Sequence, residues 1–394
     1  MASTMMLSNT QRVTLVSFLT YFLLSSMLAP IGIISAPMAE HFGQSITEAT
    51  RQFSWLTGGN LIGAILALFV FDWFKLKNLI IGIYTAIGTV LGALIIVDDL
   101  MLSSLILGVV GLGSGIGLAG GALTISRVYE YDQRASMLII TDGCFSIAGF
   151  TTGWLATYLV ASEFQWSATY LCTGILAVVI VLLTTLSQFP ATKAEETADL
   201  NVTRKPWPLS VWLCVTCLLL YTLGQYSMLF WLPNYAETVL GAERTLAGGL
   251  VGQFWLGMFF AQIFVAWWVY RIGLRNLVTI ASMSTFIFSI PLWNLTSPEI
   301  LSMAVLFWGF ANFSLLKGVL SLATQLVSIP SARLVSLMLL GATIGTAFSP
   351  FVTSKIVDLT NNHTVLVFSS CCYAALALLI LVIRYKTAPN QKRR

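Results

Sequence analysis

Charge is what this 394-residue sequence has least of: Asp, Glu, Lys and Arg together make up 9% of it, against 57% hydrophobic residues. A water-soluble globular chain carries about a quarter charged residues, so that class is excluded. The mean hydropathy of +0.86 says the same. Histidine is nearly absent. His41 and His363 both sit at ends of apolar runs, which excludes a membrane-embedded imidazole relay and a His-based metal site. The six cysteines, Cys144, Cys172, Cys214, Cys217, Cys371 and Cys372, all fall inside apolar runs, where they serve as small packing residues and imply no disulfide framework. Cys214 and Cys217 lack both the second ligand pair of a zinc site and the βαβ context of a redox motif. No Lys or Arg precedes Arg12, and the run behind it is too long for a signal-peptide core, so it reads as a first membrane span.

What is there is a series of helix-length apolar runs without the alternation of outer-membrane strands, which makes the chain an all-α polytopic membrane protein. Twelve spans are expected, at about 13–35, 53–71, 78–97, 100–126, 135–160, 168–189, 209–232, 246–270, 276–295, 300–328, 333–352 and 364–383. The longest polar interval divides them. Residues 1–189 read as a first six-helix bundle, 190–208 as a linker with both signs of charge and three prolines, and 209–394 as a second bundle with a short basic tail. With both termini on one side, that side collects sixteen basic residues, while the other holds only Arg51, Arg244 and Lys355. The positive-inside rule then makes the termini and the linker cytoplasmic.

Two ionisable side chains stand where apolar chemistry argues against them. Asp142 lies about eight residues, or roughly 12 Å, inside the fifth run, and Lys317 about nine residues, or roughly 13 Å, inside the tenth. An ionised group at such depth costs about 2.5 to 3.5 kcal/mol on insertion scales, so each needs a partner, a cavity or a proton. Three readings follow. The two could neutralise each other structurally; Asp142 could carry a proton, with the ammonium near it or away from it in alternate conformations; or Lys317 could hold an anionic group of a substrate. Their similar depths permit contact and leave the helix rotations open.

The two halves repeat. Lys77-Asn78-Leu79-Ile80 matches Arg275-Asn276-Leu277-Val278 at an offset of 198 residues, and Gly43 and Gly241 close equivalent loops at the same offset. Gln52-Phe53-Ser54-Trp55-Leu56-Thr57-Gly58 pairs at nearly that offset with Gln253-Phe254-Trp255-Leu256-Gly257. Two six-helix halves, a central linker and the loop Asp72-Trp73-Phe74-Lys75-Leu76-Lys77 resemble the major facilitator superfamily over essentially the whole chain. Asp72 and Lys77 fit that superfamily's Gly-x-x-x-Asp-Arg-x-Gly-Arg-Arg signature, while Leu68 and Lys75 stand where glycines are usual. In the second half Arg271, Gly273 and Arg275 fit and Tyr270 replaces the acid. The segment Thr141-Asp142-x-x-Phe145-Ser146-x-Ala148-Gly149, with Tyr129-Glu130 before it, is most similar to the TsgA-like branch, related to fucose/proton symporters.

The resemblance implies two pseudo-symmetric bundles rocking around a central site, with spans 7 and 10 lining the cavity. On that basis Gln225 and Asn312 become substrate ligands beside Lys317, with Tyr221 and Tyr226 flanking Gln225. Asn60 in span 2 is a further candidate, as are Gln253 and Gln262 in span 8, although membrane amides equally serve as interhelical glue. Asp72 would face the start of span 11, at Ser331 and Arg333, as a gate that breaks when the cytoplasmic side opens. Lys77, Arg127, Glu130, Arg275 and Arg333 join it in that gating set, although topology alone accounts for most of the basic residues. The glycines Gly108, Gly111, Gly113, Gly115, Gly117, Gly120 and Gly121 crowd span 4 and point to close helix packing, since neither strand nor soluble helix flanks them as a nucleotide loop requires.

The expected function is proton-coupled secondary transport of a small polar solute, with the family pointing to a sugar or sugar derivative. The alternative is an exporter of organic anions, drugs or metabolites on the same fold. An intramembrane enzyme is the distant rival, since Ser314-x-x-Lys317 is the only motif fragment for it and no acid or histidine completes a site. No cofactor is expected beyond the proton gradient, and no metal or nucleic acid. The partners are the solute and the lipid of a bacterial inner membrane, with the protein acting as a monomer.

Overall fold

Why the chain forms helices is visible at their starts. Ser8 and Gln11 cap each other's backbone, Ser45 accepts from Glu48 N at 3.1 Å, and Asp99 accepts from Leu102 N at 2.7 Å, each supplying an acceptor to amides that have none inside the helix. The computed structural model describes residues 8–189, 207–327 and 332–387, so the linker expected at 190–208 lies almost wholly outside the described residues. Among the described residues there is no strand, and twelve helical segments are long and apolar enough to cross a membrane.

The first span is α1 (Asn9–Leu28) continued by α2 (Ile31–Phe42). It was expected as one uninterrupted helix. Pro30 has no N–H to give, and the chain turns at Ala29-Pro30 before winding on. The next five spans are α3 (Ile46–Trp73), α4 (Leu76–Ala93), α5 (Leu100–Val128), α6 (Tyr131–Ala161) and α7 (Ala168–Thr185). The second series is α8 (Leu209–Leu240), α9 (Arg244–Ile272), α10 (Leu274–Ser289) with a 3-10 turn at Pro291–Trp293, α11 (Pro298–Ala311) with α12 (Leu315–Gln325), α13 (Ala332–Leu359) and α14 (Asn362–Thr387). Gly43 and Gly241, the repeat-related pair, end α2 and α8 at φ of 61° and 67°, a left-handed conformation that glycine adopts without strain.

Taken as two groups, α1 to α7 and α8 to α14, the helices pack both within and across them. Within the first group α3 lies on α5 and α4 on α7; within the second α8 lies on α13 and α14, and α9 on α11. The glycines of α5 set the closest approach. A methyl group at Gly111 would sit 2.0 Å from the Leu56 carbonyl oxygen, and one at Gly63 would sit 2.1 Å from that of Leu112. Between the groups, α6 packs on α9, α3 on α13 and α2 on α8.

The tenth span departs most from expectation. In place of one helix, α11 stops at Ala311, and Phe313 and Ser314 take φ of 42° and 54° before α12 begins. Backbone groups freed inside a membrane must be satisfied by protein. Ser284 Oγ donates to the Ala311 carbonyl at 2.7 Å and Thr285 Oγ1 to the same oxygen at 3.4 Å, both from α10, while Asn312 Nδ2 donates to the Trp308 carbonyl at 2.7 Å. Asn312 is therefore a residue of the break, and Lys317 stands in the first turn of α12 just beyond it.

Candidate functional site

One stripe of α6 faces the second half along much of its length. Starting at the side away from the termini, Thr157 lies against Gly248, Gly153 against Gly252 and Gly149 under the Trp255 ring. Ser146 then accepts a hydrogen bond from Gln262 Nε2 at 3.0 Å, and Asp142 Oδ2 lies 2.8 Å from Lys317 Nζ. The spacing of three and four residues is that of one helix face, so a single rotation of α6 brings all five to the second half. Small residues let the backbones meet at the far end, and polar ones take over toward the middle.

The far side is closed by other contacts as well. Thr57 Oγ1 donates to the Ala347 carbonyl at 3.0 Å, joining α3 to α13, and Gly32 of α2 lies against the Leu229 and Phe230 carbonyls of α8. At the rim Arg51 pairs with Glu48 and reaches across to Asp358, and Arg244 Nη2 reaches across to Glu40 Oε1 at 3.0 Å. In the sequence Arg51 and Arg244 stand out only as basic residues on the side that has few.

The ion pair of Asp142 and Lys317 lies at the other limit of this closed zone. Asp142 is 19% and Lys317 42% exposed, although each belongs to an apolar helix and each points at the opposite half. Both side chains therefore keep part of their surface accessible at the contact. Asp142, on the first half, has Lys317 as its one charged partner among the described residues, and Lys317 stands where the amide ends of α12 add to its positive charge.

Several of the other expected site residues are buried in the second half. Tyr221 and Gln225 are buried on α8, Trp308 and Asn312 on α11 and at its end, and Tyr373 on α14, with the Trp308 and Tyr373 rings 6.1 Å apart. Tyr373 also touches the α8 backbone at Gly224. The Tyr221 and Tyr373 hydroxyls, Gln225 Oε1, Trp308 Nε1 and Asn312 Oδ1 are all shielded and have no hydrogen-bond partner among the described residues. Buried polar atoms left without partners are costly, and others of the kind occur elsewhere, among them Asn60 Oδ1 in the first half and Trp231 Nε1 in the second. Trp308 and Tyr373 were not singled out from sequence, where nothing separates them from core aromatics. Tyr226 packs on Phe230 with ring centroids 5.5 Å apart.

Asn60, one turn from Thr57 on α3, has its side-chain oxygen beside Gly115 of α5. One expected role needs correction. Lys77 is not placed as a gate. Its ammonium donates to the Thr185 and Ser187 carbonyls at 2.9 and 2.8 Å, capping the negative end of α7 inside its own half. Arg275, its repeat partner, likewise sits within the second half, beside Thr279 and Arg384. Asp72 is exposed, but its expected counterparts Ser331 and the Arg333 side chain lie outside the described residues. Arg127 is in the last turn of α5 and Glu130 is the N-cap of α6, both at the terminal side.

A sequence model described as the Major Facilitator Superfamily matches residues 13–331. Over nearly full length the chain is similar to the protein TsgA homolog of Citrobacter koseri, 28% identical over 385 residues and covering 98% of both chains. It is 29% identical over 387 residues to that of Edwardsiella ictaluri, covering 96% of this chain and 97% of the relative. Among solved structures it resembles the nucleoside transporter NupG, with a TM-score of 0.70 at 16% identity over 96% of this chain and 99% of that one. It also resembles a D-xylose-proton symporter, with a TM-score of 0.72 at 15% identity over 95% and 97%. At those identities the structural likeness speaks to the fold alone.

Proposed function

We propose, for a chain that belongs to the major facilitator superfamily and is thus a membrane transporter rather than an enzyme, that it couples the movement of a small polar solute to that of a proton. The observation that carries this reading is the cross-half contact of Asp142 with Lys317 at 2.8 Å. Burial favours the protonated carboxyl and a nearby ammonium favours the ionised one, so separating the halves changes the proton affinity of Asp142. Taking up a proton, in turn, removes the attraction that holds the halves at that point. Proton and conformation are linked by that reciprocity.

A neutral, hydroxyl-rich solute, a sugar or sugar derivative, fits the uncharged donors and acceptors of Tyr221, Gln225, Trp308, Asn312 and Tyr373. The same fold is found in a nucleoside transporter and a D-xylose-proton symporter. A specific feature favours a second reading: Lys317 is 42% exposed at the start of α12, where an organic anion would meet both the ammonium and the helix amides. The protein works in a bacterial inner membrane with its termini in the cytoplasm, as a monomer and without metal or cofactor.

The test is uptake into proteoliposomes under an imposed pH gradient, after a thermal-shift panel of sugars, nucleosides, sugar acids and amines at two pH values has found a stabilising solute. Asp142→Asn abolishes uphill accumulation and spares counterflow exchange. Accumulation that survives in Asp142→Asn refutes the proton role, and accumulation of a neutral solute that survives in Lys317→Met refutes the anion reading.

A further inference from the structure

We propose that Gln262 holds the protonated form of Asp142, so that this amide from the second half shares with Lys317 the control of when the central pair lets go. The inference rests on the reading of Asp142 as a proton carrier. Its ground is the environment of one side chain. Gln262 reaches from α9 to α6, where its Nε2 donates to Ser146 Oγ at 3.0 Å. Ser146 is buried and lies one helical turn from Asp142 on the same face of α6, a separation of about 6 Å between the two side-chain origins. With the amide set so that Nε2 faces Ser146, the other amide atom, Gln262 Oε1, is shielded and has no hydrogen-bond donor among the described residues. An acceptor without a donor, one turn from a carboxyl group, is a half-built interaction.

Protonation completes it. An ionised carboxylate only accepts hydrogen bonds and has nothing to offer Gln262 Oε1, whereas a protonated one carries an O–H. In the state captured here Asp142 is engaged with Lys317. Once Asp142 takes a proton, its attraction to the ammonium falls away and its hydroxyl has a buried acceptor close by on the same side of the helix. Gln262 thus favours the protonated state, and Lys317 favours the ionised one. The two act from α9 and α12, so the balance is set by the second half against a residue of the first.

Among the described residues, other charges on the surrounding elements stand toward the helix ends. Arg12 on α1 donates to the Leu186 carbonyl at 2.8 Å; on α2, Glu40 pairs with Arg244 of α9 at the far rim, and His41 lies 3.2 Å from Asp98. Arg127 on α5 and Arg271 on α9 are in the last turns of their helices, and α7 carries no charged residue. The remaining ionisable side chains on these elements include the Tyr21 and Tyr170 phenols and the Cys144 and Cys172 thiols, and Tyr170 donates to the Met27 carbonyl at 3.0 Å.

The test needs no solute, because the probe is the proton. Protein in lipid vesicles is titrated while infrared difference spectra follow the carboxyl C=O band that disappears in Asp142→Asn. Gln262→Met, of similar length and without an acceptor, shifts the midpoint of that band to lower pH by roughly half to one unit, the scale of one net hydrogen bond. Ser146→Ala leaves Oε1 in place and gives less than half that shift. Gln262→Asn draws the acceptor back by one methylene, keeps the site polar for folding, and shifts the midpoint in the same direction. An unmoved midpoint in Gln262→Met, or a shift to higher pH, overturns the proposal. A wild-type spectrum with no band removed by Asp142→Asn overturns the proton role of Asp142 itself, and the two failures are distinct.

Discussion

Arg51 at the start of α3 and Asp358 near the end of α13 form an ion pair that ties the two halves together at the rim farthest from the termini. Glu48, three residues ahead of Arg51, accepts from the same guanidinium at 2.7 Å and fixes its direction. With Arg244 and Glu40 across the rim, it forms a pair of latches on one side of the membrane. Arg51→Gln and Asp358→Asn each favour opening of that side. In a background without native cysteines, labelling of Ala347→Cys by an impermeant maleimide added from that side rises about two- to fivefold, the range that partly exposed ion pairs support. Exchanging the two charges restores the low labelling. Equal labelling in all variants would remove the latch from the mechanism.

The central pair makes a different prediction. Removing one charge leaves the other without its partner in an apolar helix, which costs more than removing both. Asp142→Asn and Lys317→Met each lower the Tm in detergent by a few degrees, and the double variant lowers it by less than the sum. Additive losses would mean that the two side chains do not act as a unit.

At the break in the tenth span, Ser284 and Thr285 are the only described side chains that donate to the Ala311 carbonyl. Ser284→Ala with Thr285→Val leaves that oxygen bare and costs about 1 to 3 kcal/mol. Thermal unfolding reads this as a drop of a few degrees. Ser284→Ala alone carries most of it, because its bond is 2.7 Å against 3.4 Å. An unchanged Tm in the double variant would show that the break is satisfied in another way.

Helix contact can be probed with the smallest side chain. Gly111→Ala forces a methyl group to within 2.0 Å of the Leu56 carbonyl oxygen, so α3 and α5 must part. The expected loss is about 1 to 3 kcal/mol. Gly82→Ala, where a methyl group meets nothing within 4 Å, gains about 1 kcal/mol from helix propensity. Opposite signs in thermal unfolding support the packing described, and a neutral Gly111→Ala would contradict it.

These particulars show what the sequence discloses and what it hides. Hydropathy and charge sorting give twelve spans because a bilayer demands an apolar run of fixed length. The depth of Asp142 and Lys317 is legible for the same reason, since 1.5 Å per residue converts position into depth. Their contact is not legible, because it depends on the rotation of two helices from different halves. The break at Phe313 and Ser314 is hidden altogether: no glycine or proline marks it, and the hydroxyls that satisfy it come from α10, 26 and 27 residues earlier. Lys77 meets its own half for a related reason. A polar residue at the right depth can face its own bundle as readily as the centre, and only the packing decides.

The interruption between α11 and α12 gives the tenth span a pivot. Beyond it, the eleven residues of α12 form an arm about 16 Å long. A swing of about 20° at Phe313 and Ser314 carries the tip of that arm by about 5 to 6 Å but moves Lys317, in its first turn, by only about 1 to 2 Å. The ammonium sits near the fulcrum, so any tilt at the break displaces the far end of α12 several times further than the electrostatic centre.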